Sequence, residues 1–127
     1  AGVSGIVMSG GCVDLFNPKV IRATMGAIYR IPFVVTELGA AVRSFQQMGG
    51  LVYAAHLKGE QQHYQIQYPL KPGFLIGNEG NGLTEETAKL ADCYLRIPME
   101  GQTESLNAAV AAALLVYEAK RQADVRL

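Results

Sequence analysis

Cysteine is scarce in this chain: Cys12 and Cys93 stand far apart, with no C-x-x-C spacing and no histidine beside either. That excludes a disulfide framework and argues against a zinc site, so two free thiols, no metal and a cytoplasmic protein are expected. Excess charge is also missing, because 11 basic residues balance 11 acidic ones. Nucleic-acid affinity comes largely from neutralising phosphates, so a domain this balanced should not grip RNA strongly by itself. If RNA is a substrate, another segment or a partner subunit must supply much of the grip. The longest apolar run, Ala108 to Tyr117, is far shorter than the roughly 20 residues of a membrane-spanning helix. No segment reads as a signal peptide, and no membrane partner is expected.

What the chain does have is apolar material in short, evenly spaced pieces. Half of its 127 residues are hydrophobic and 17% are charged, enough for one domain with a real core. Gly5 to Met8, Pro32 to Val35, Leu51 to Ala55, Gly73 to Ile76 and Tyr94 to Ile97 read as strands. Between them lie helical patterns. Asn17-Pro18 reads as an N-cap with proline at the first helical position, and the stripe runs on to Ile28. Thr36 reads as the cap of a helix from Glu37 to Met48 that Gly49-Gly50 closes. Lys58 to Tyr68 is Gln-rich and reads as a loop. Thr84 caps a short helix, and a final helix runs from about Thr103 to Arg121.

Strands alternating with helices predict an α/β fold with a mainly parallel sheet flanked by helices, its strands apolar throughout because both faces are covered. The final helix carries Leu106, Ala109, Val110, Ala113, Leu114 and Tyr117 on one stripe but is apolar nearly all round. It needs cover on two sides, so a homodimer is expected. The first strand opens the chain without preamble, which suggests that sequence preceding it is missing.

Two segments concentrate the functional signal. Leu75 to Leu83 places Gly77, Gly80 and Gly82 around Glu79, where a strand breaks into a loop with little side-chain bulk that a ligand can approach closely. Ile97 to Asn107 leaves another strand through Pro98 and enters the final helix past Ser105 and Asn107. The order Gly77-x-x-Gly80-x-Gly82 reverses the dinucleotide fingerprint, and no Gly-Lys-Ser/Thr follows it. A nicotinamide oxidoreductase is therefore a weak alternative, which tight NADH binding would revive, and a P-loop is excluded. Each residue also has a plain reading: a connecting turn for the glycines, a solvated carboxylate for Glu79, helix capping for Ser105 and Asn107. With no His or Lys in its segment, Ser105 is not an acyl-transfer nucleophile. His56 follows the third strand and could line the same edge of the sheet, but with no second ligand or carboxylate partner in view it reads as polar surface, and His63 reads as solvent-exposed. Lys19, Arg22 and Arg30 could touch phosphate, although a solvated helix face is the better reading, by about two to one on base rates for charge clusters.

Together these segments resemble the SpoU/TrmH family of the SPOUT superfamily, the S-adenosylmethionine-dependent RNA ribose 2'-O-methyltransferases. Phe16 to Ala27 is similar to the family's Arg-Ala-Ser/Thr-x-Gly-Ala helix end, Leu75 to Leu83 to its second motif, and Ile97 to Ala108 to its third. The resemblance implies an α/β knot with a trefoil in its C-terminal part, a dimer with the site at the interface, and S-adenosylmethionine as cofactor with rRNA or tRNA as substrate. It implies cofactor contacts at Gly77, Asn78, Glu79, Gly80, Ile97, Met99 and Leu106, and catalytic roles for Glu79, Ser105 and Asn107. The family's first motif, with an Arg assigned to the chemistry, should precede the first strand and is not found here. Arg22 and Arg30 are poor substitutes. The expectation is a methyltransferase domain over residues 1–127, truncated at its N-terminus and inactive alone; the rival is a non-catalytic cofactor- or RNA-binding module of the same fold.

Overall fold

The computed structural model describes residues 1–10, 16–27, 30–77, 82–101 and 106–126. The chain divides into two compact units, 2–43 and 44–127, with Ala1 grouped with the second.

In the first unit, β1 (Ile6–Met8) pairs in parallel with β2 (Phe33–Val35), Ile6 opposite Phe33 and Met8 opposite Val35. The sequence predicts buried strands here. Instead Ile6, Val7, Val34 and Val35 are all about half exposed, since a ribbon of two three-residue strands is too small to bury both faces. Helix α1 (Pro18–Ala23) begins as expected, with Asn17 Oδ1 accepting the Lys19 N–H at 2.9 Å. It stops well short of Ile28, because Met25 and Gly26 both take positive φ, 52° and 88°, which no helix accommodates. Helix α2 (Leu38–Gln47) is capped by Glu37 and not by Thr36. The Glu37 carboxylate accepts the N–H groups of Gly39 and Ala40, while the Thr36 N–H donates to Met8 O.

The second unit holds a four-stranded sheet in the order β4-β6-β3-β5, formed by β3 (Val52–Ala55), β4 (Gln61–Gln62), β5 (Gly73–Leu75) and β6 (Cys93–Arg96). Every pairing is parallel. The end of α2 forms the expected glycine stop: Gly49 has φ +91°, its N–H donates to Gln46 O, and the Gly50 N–H donates to Phe45 O. The Gln-rich stretch is not wholly loop, since Gln61 and Gln62 pair with Leu95 and Arg96. Two polar residues carry no periodicity, so this strand has no sequence signal.

Register sorts the side chains. Tyr53, Phe74 and Cys93 lie side by side on one face with Ala55 and Leu95, and α4 (Ala108–Arg126) covers them through Leu115 and Ala119. Tyr53, Tyr68 and Phe74 meet as three rings with centroids 5.0 to 5.9 Å apart. Gln122 ties α4 to the chain beneath, donating to Ile66 O (2.8 Å) and accepting the Tyr68 N–H (2.9 Å). The opposite face buries Val52, Ala54 and Leu75. There the Asp92 carboxylate accepts the Val52 N–H, and the Gln46 amide donates to Leu90 O. Both faces of this sheet are therefore occupied, which its continuous apolar strands require.

Candidate active site

All four strands of the larger unit point the same way, so their carboxyl ends form one edge, the usual ligand edge of an α/β sheet. Continuing the register two residues past Ala54, Leu75 and Tyr94 sets His56 between Gly77 and Arg96 along that edge. Gly77 and Arg96 thus flank one strand end, about 10 Å apart by the usual strand spacing.

At Gly77 the returning chain passes directly overhead. A Cβ there would lie 2.2 Å from the carbonyl carbon of Gly82 and 2.4 Å from the nitrogen of Leu83. The missing side chain is thus filled by the protein's own backbone, where the sequence reading reserved the space for a ligand. Gly82 has φ +62°, with open space where its Cβ would be. Thr84 then caps α3 (Glu85–Ala88), its Oγ1 accepting the Thr87 N–H at 3.1 Å.

Beyond β6, Ile97 packs against the core and Met99 is half-buried, while Leu106 is exposed just ahead of α4. Asn107 is the N-cap of α4: its Oδ1 accepts the N–H groups of Ala109 (2.9 Å) and Val110 (3.3 Å), and its carbonyl accepts the Ala111 N–H. The helix therefore starts at Ala108, after Leu106 and Asn107, and the expected start at Thr103 lies outside the described residues. Asn78, Glu79, Gly80 and Ser105, as well as Cys12, lie outside the described residues. Of the predicted site residues, the structure places Gly77, Ile97 and Met99 on the carboxyl side of the sheet and puts Leu106 and Asn107 at the head of α4.

His56, which the sequence could set at this edge but without a carboxylate partner, finds one in Glu85. Its side chain is only 13% exposed, and its Nε2 lies 3.0 Å from Oε1 of Glu85. The Lys58 N–H donates to its Nδ1 (3.1 Å), so the neutral ring carries its proton on Nε2 and donates it to Glu85. The ring stacks on Tyr94 with centroids 4.4 Å apart. Hydrogen bonding from His56 holds the Glu85 carboxyl below its ordinary range. Only the position of His56 after a strand hinted at any of this. His63, also read as surface, has a buried Nδ1 and borders a groove along α4 lined by Val110, Ala113, Leu114 and Tyr117. Among the described residues no group of His, Cys, Asp and Glu could hold a metal ion, and no helix could cross a membrane.

A parallel sheet with a glycine-bounded carboxyl edge and a long covering helix defines the class: a parallel α/β domain. The sequence matches the model of the SpoU rRNA Methylase family over residues 1–117, and the chain belongs to that family. It is 36% identical over 117 residues to the 23S rRNA (guanosine(2553)-2'-O)-methyltransferase RlmP of Bacillus subtilis, covering 92% of this chain and 47% of the relative. The RlmB 23S rRNA (guanosine-2'-O-)-methyltransferase of Xanthomonas campestris is 35% identical, over 96% of this chain and 49% of its own length. The chain spans about half the length of the curated relatives it matches. Among solved structures, the AdoMet-bound rRNA methyltransferase of Sinorhizobium meliloti superposes with a TM-score of 0.83 at 38% identity, over 94% of this chain and 46% of that one. The SpoU methyltransferase AviRb of Streptomyces viridochromogenes superposes with a TM-score of 0.87 at 30% identity, over 98% and 51%.

Proposed function

We propose that this chain is the cofactor-binding and catalytic part of an S-adenosylmethionine-dependent methyltransferase acting on a ribose 2'-hydroxyl of rRNA or tRNA, in the cytoplasm. The observation that carries the reading is the likeness over nearly the whole chain to an AdoMet-bound rRNA methyltransferase, together with family membership. The carboxyl edge suits such a cofactor. Gly77 and Gly82 keep side chains out of the loop after β5, and Ile97, Met99 and Leu106 offer apolar contact for an adenosine and a methionine chain. Asn78, Glu79 and Gly80 complete the proposed cofactor contacts. The bound cofactor supplies a methyl group made electrophilic by its sulfonium charge. The chain's part is to orient the ribose hydroxyl in line with that methyl, which supplies much of the rate, and to help the hydroxyl lose its proton. Glu79, Ser105 and Asn107 are the proposed polar groups for this work. A trefoil knot in the C-terminal part belongs to the same proposal.

Titration with S-adenosylhomocysteine followed by calorimetry should give saturable binding, and flat titrations would overturn the reading. Binding without methyl transfer to any rRNA or tRNA would favour the non-catalytic module. Asn107 needs a variant that separates its roles, because Asn107→Ala also removes a helix cap worth about 1 kcal/mol. Asn107→Asp keeps the cap, so lost transfer with unchanged stability assigns Asn107 to the chemistry; unaltered transfer leaves it a cap only.

The proposal extends to a homodimer through α4. Its outer stripe leaves Val110, Leu114 and Tyr117 39 to 59% exposed beside the small Ala113, a face that another copy of the same helix could approach closely. Leu114→Glu should then lower the mass seen by light scattering, and a concentration-independent monomer in the parent chain would remove the dimer.

A further inference from the structure

Three segments converge on the His56 ring. Its backbone N–H donates to Leu95 O, prolonging the β3–β6 pairing, and its carbonyl accepts the Gly59 N–H at 3.0 Å, closing the turn that carries the chain past β6 to β4. That turn is pressed against β6, because a Cβ on Gly59 would lie 2.6 Å from the Leu95 carbonyl carbon. The imidazole then uses both nitrogens. Nδ1 holds the turn through Lys58 N–H, and Nε2 reaches the first residue of α3. Glu85 stands directly after the segment Gly82–Leu83–Thr84, which folds back over Gly77. One mostly buried side chain thus links the end of β3, the turn over β6 and the far end of the glycine-rich segment after β5.

We propose that His56 is a positioning residue for the cofactor edge, acting through Glu85 to hold the segment from Gly82 to Glu85 in place over Gly77. The proposal rests on the cofactor reading above for its ligand, but its mechanical part stands independently. Glu85 is largely exposed, so the bond is a modest one, and its effect is on placement more than on global stability. Lys58 and Lys89 are the other charges that bear on Glu85.

The test uses the intact chain with S-adenosylhomocysteine as probe and three variants. His56→Asn places an amide oxygen near Nδ1 to keep the Lys58 N–H bond but cannot reach Glu85. Glu85→Ala removes the other partner. Glu85→Gln retains an oxygen that accepts from Nε2. The Kd should rise about three- to tenfold in His56→Asn and in Glu85→Ala, no further in the double variant, and should recover in Glu85→Gln. Additive losses, a Kd within twofold of the parent in folded single variants, or failure of Glu85→Gln to recover would overturn the proposal. If the parent chain binds no S-adenosylhomocysteine, the cofactor reading falls and the positioning role is judged by amide exchange. Exchange at Thr87, Ala88 and Lys89, whose N–H groups close the start of α3, should then speed up in both single variants and return to parent rates in Glu85→Gln. Unchanged exchange there overturns it.

Discussion

Beneath α4 the sheet is held by side chains, whereas its carboxyl edge is held by backbone passing close to backbone. Under the helix, Leu115, Tyr53, Tyr68, Ile66 and Leu95 fill the space, and Gln122 satisfies two main-chain groups of the connecting segment. At the edge, the close approaches are Gly59 on Leu95 and Gly77 under Gly82–Leu83, with His56 and Glu85 as the polar tie. The first region should lose stability in proportion to the volume removed. The second should resist any added carbon.

The largest effect is expected from Leu115→Ala, which empties a site with no solvent exposure and should cost about 2–5 kcal/mol in urea unfolding. Leu114→Ala, one residue away on the outer face, should cost less than about 1 kcal/mol at protein concentrations where the chain is monomeric, and equal losses there would erase the contrast between the two faces of α4. Next comes Gly59→Ala, where a methyl meets the main chain of β6. A loss of about 1–3 kcal/mol is expected, and a stability within 0.5 kcal/mol of the parent, taken as about the usual surface tolerance, would mean that the edge yields.

The last effect is electrostatic. The hydrogen bond from Arg121, with help from the Gln122 amide, holds the Glu118 carboxyl down to about 2. A depressed carboxyl stabilises the folded state above its unfolded value of about 4.3, and that contribution is lost as pH falls through about 2. Because Arg121 is mostly exposed, the loss should be about 1 kcal/mol between pH 5 and 2, read as the difference between parent and Glu118→Gln in acid unfolding.

How much of this was legible depended on the range of the contacts. Strands β3, β5 and β6 were readable because parallel strands buried on both faces are runs of apolar residues, and the stop of α2 because Gly49 and Gly50 sit where a left-handed residue must fall. The start of α1 was equally local. Its early end was less so, since Gly26 alone does not announce that Met25 before it also adopts a left-handed φ of +52°. Glu37 displaced Thr36 as a cap because a longer carboxylate reached two N–H groups from one residue further on. The glycines that bound the loop after β5, Gly77 and Gly82, were visible in the sequence, but the pairing of His56 with Glu85 spans 29 positions and leaves no spacing pattern behind.

The position of β6 also dictates an order of events. It lies between β3 and β4, two strands that precede it in the chain and are already joined by the turn at Gly59. The slot must therefore stand open until residues 93–96 arrive, with Gln61 and Gln62 waiting for partners more than 30 positions later. On the ribosome the sheet would remain two incomplete halves until that strand emerged, and such late, long-range closure makes for slow folding. In the intervening time the exposed edges of β3 and β4 are open to pairing with other chains, which makes those edges natural targets for chaperone protection during synthesis.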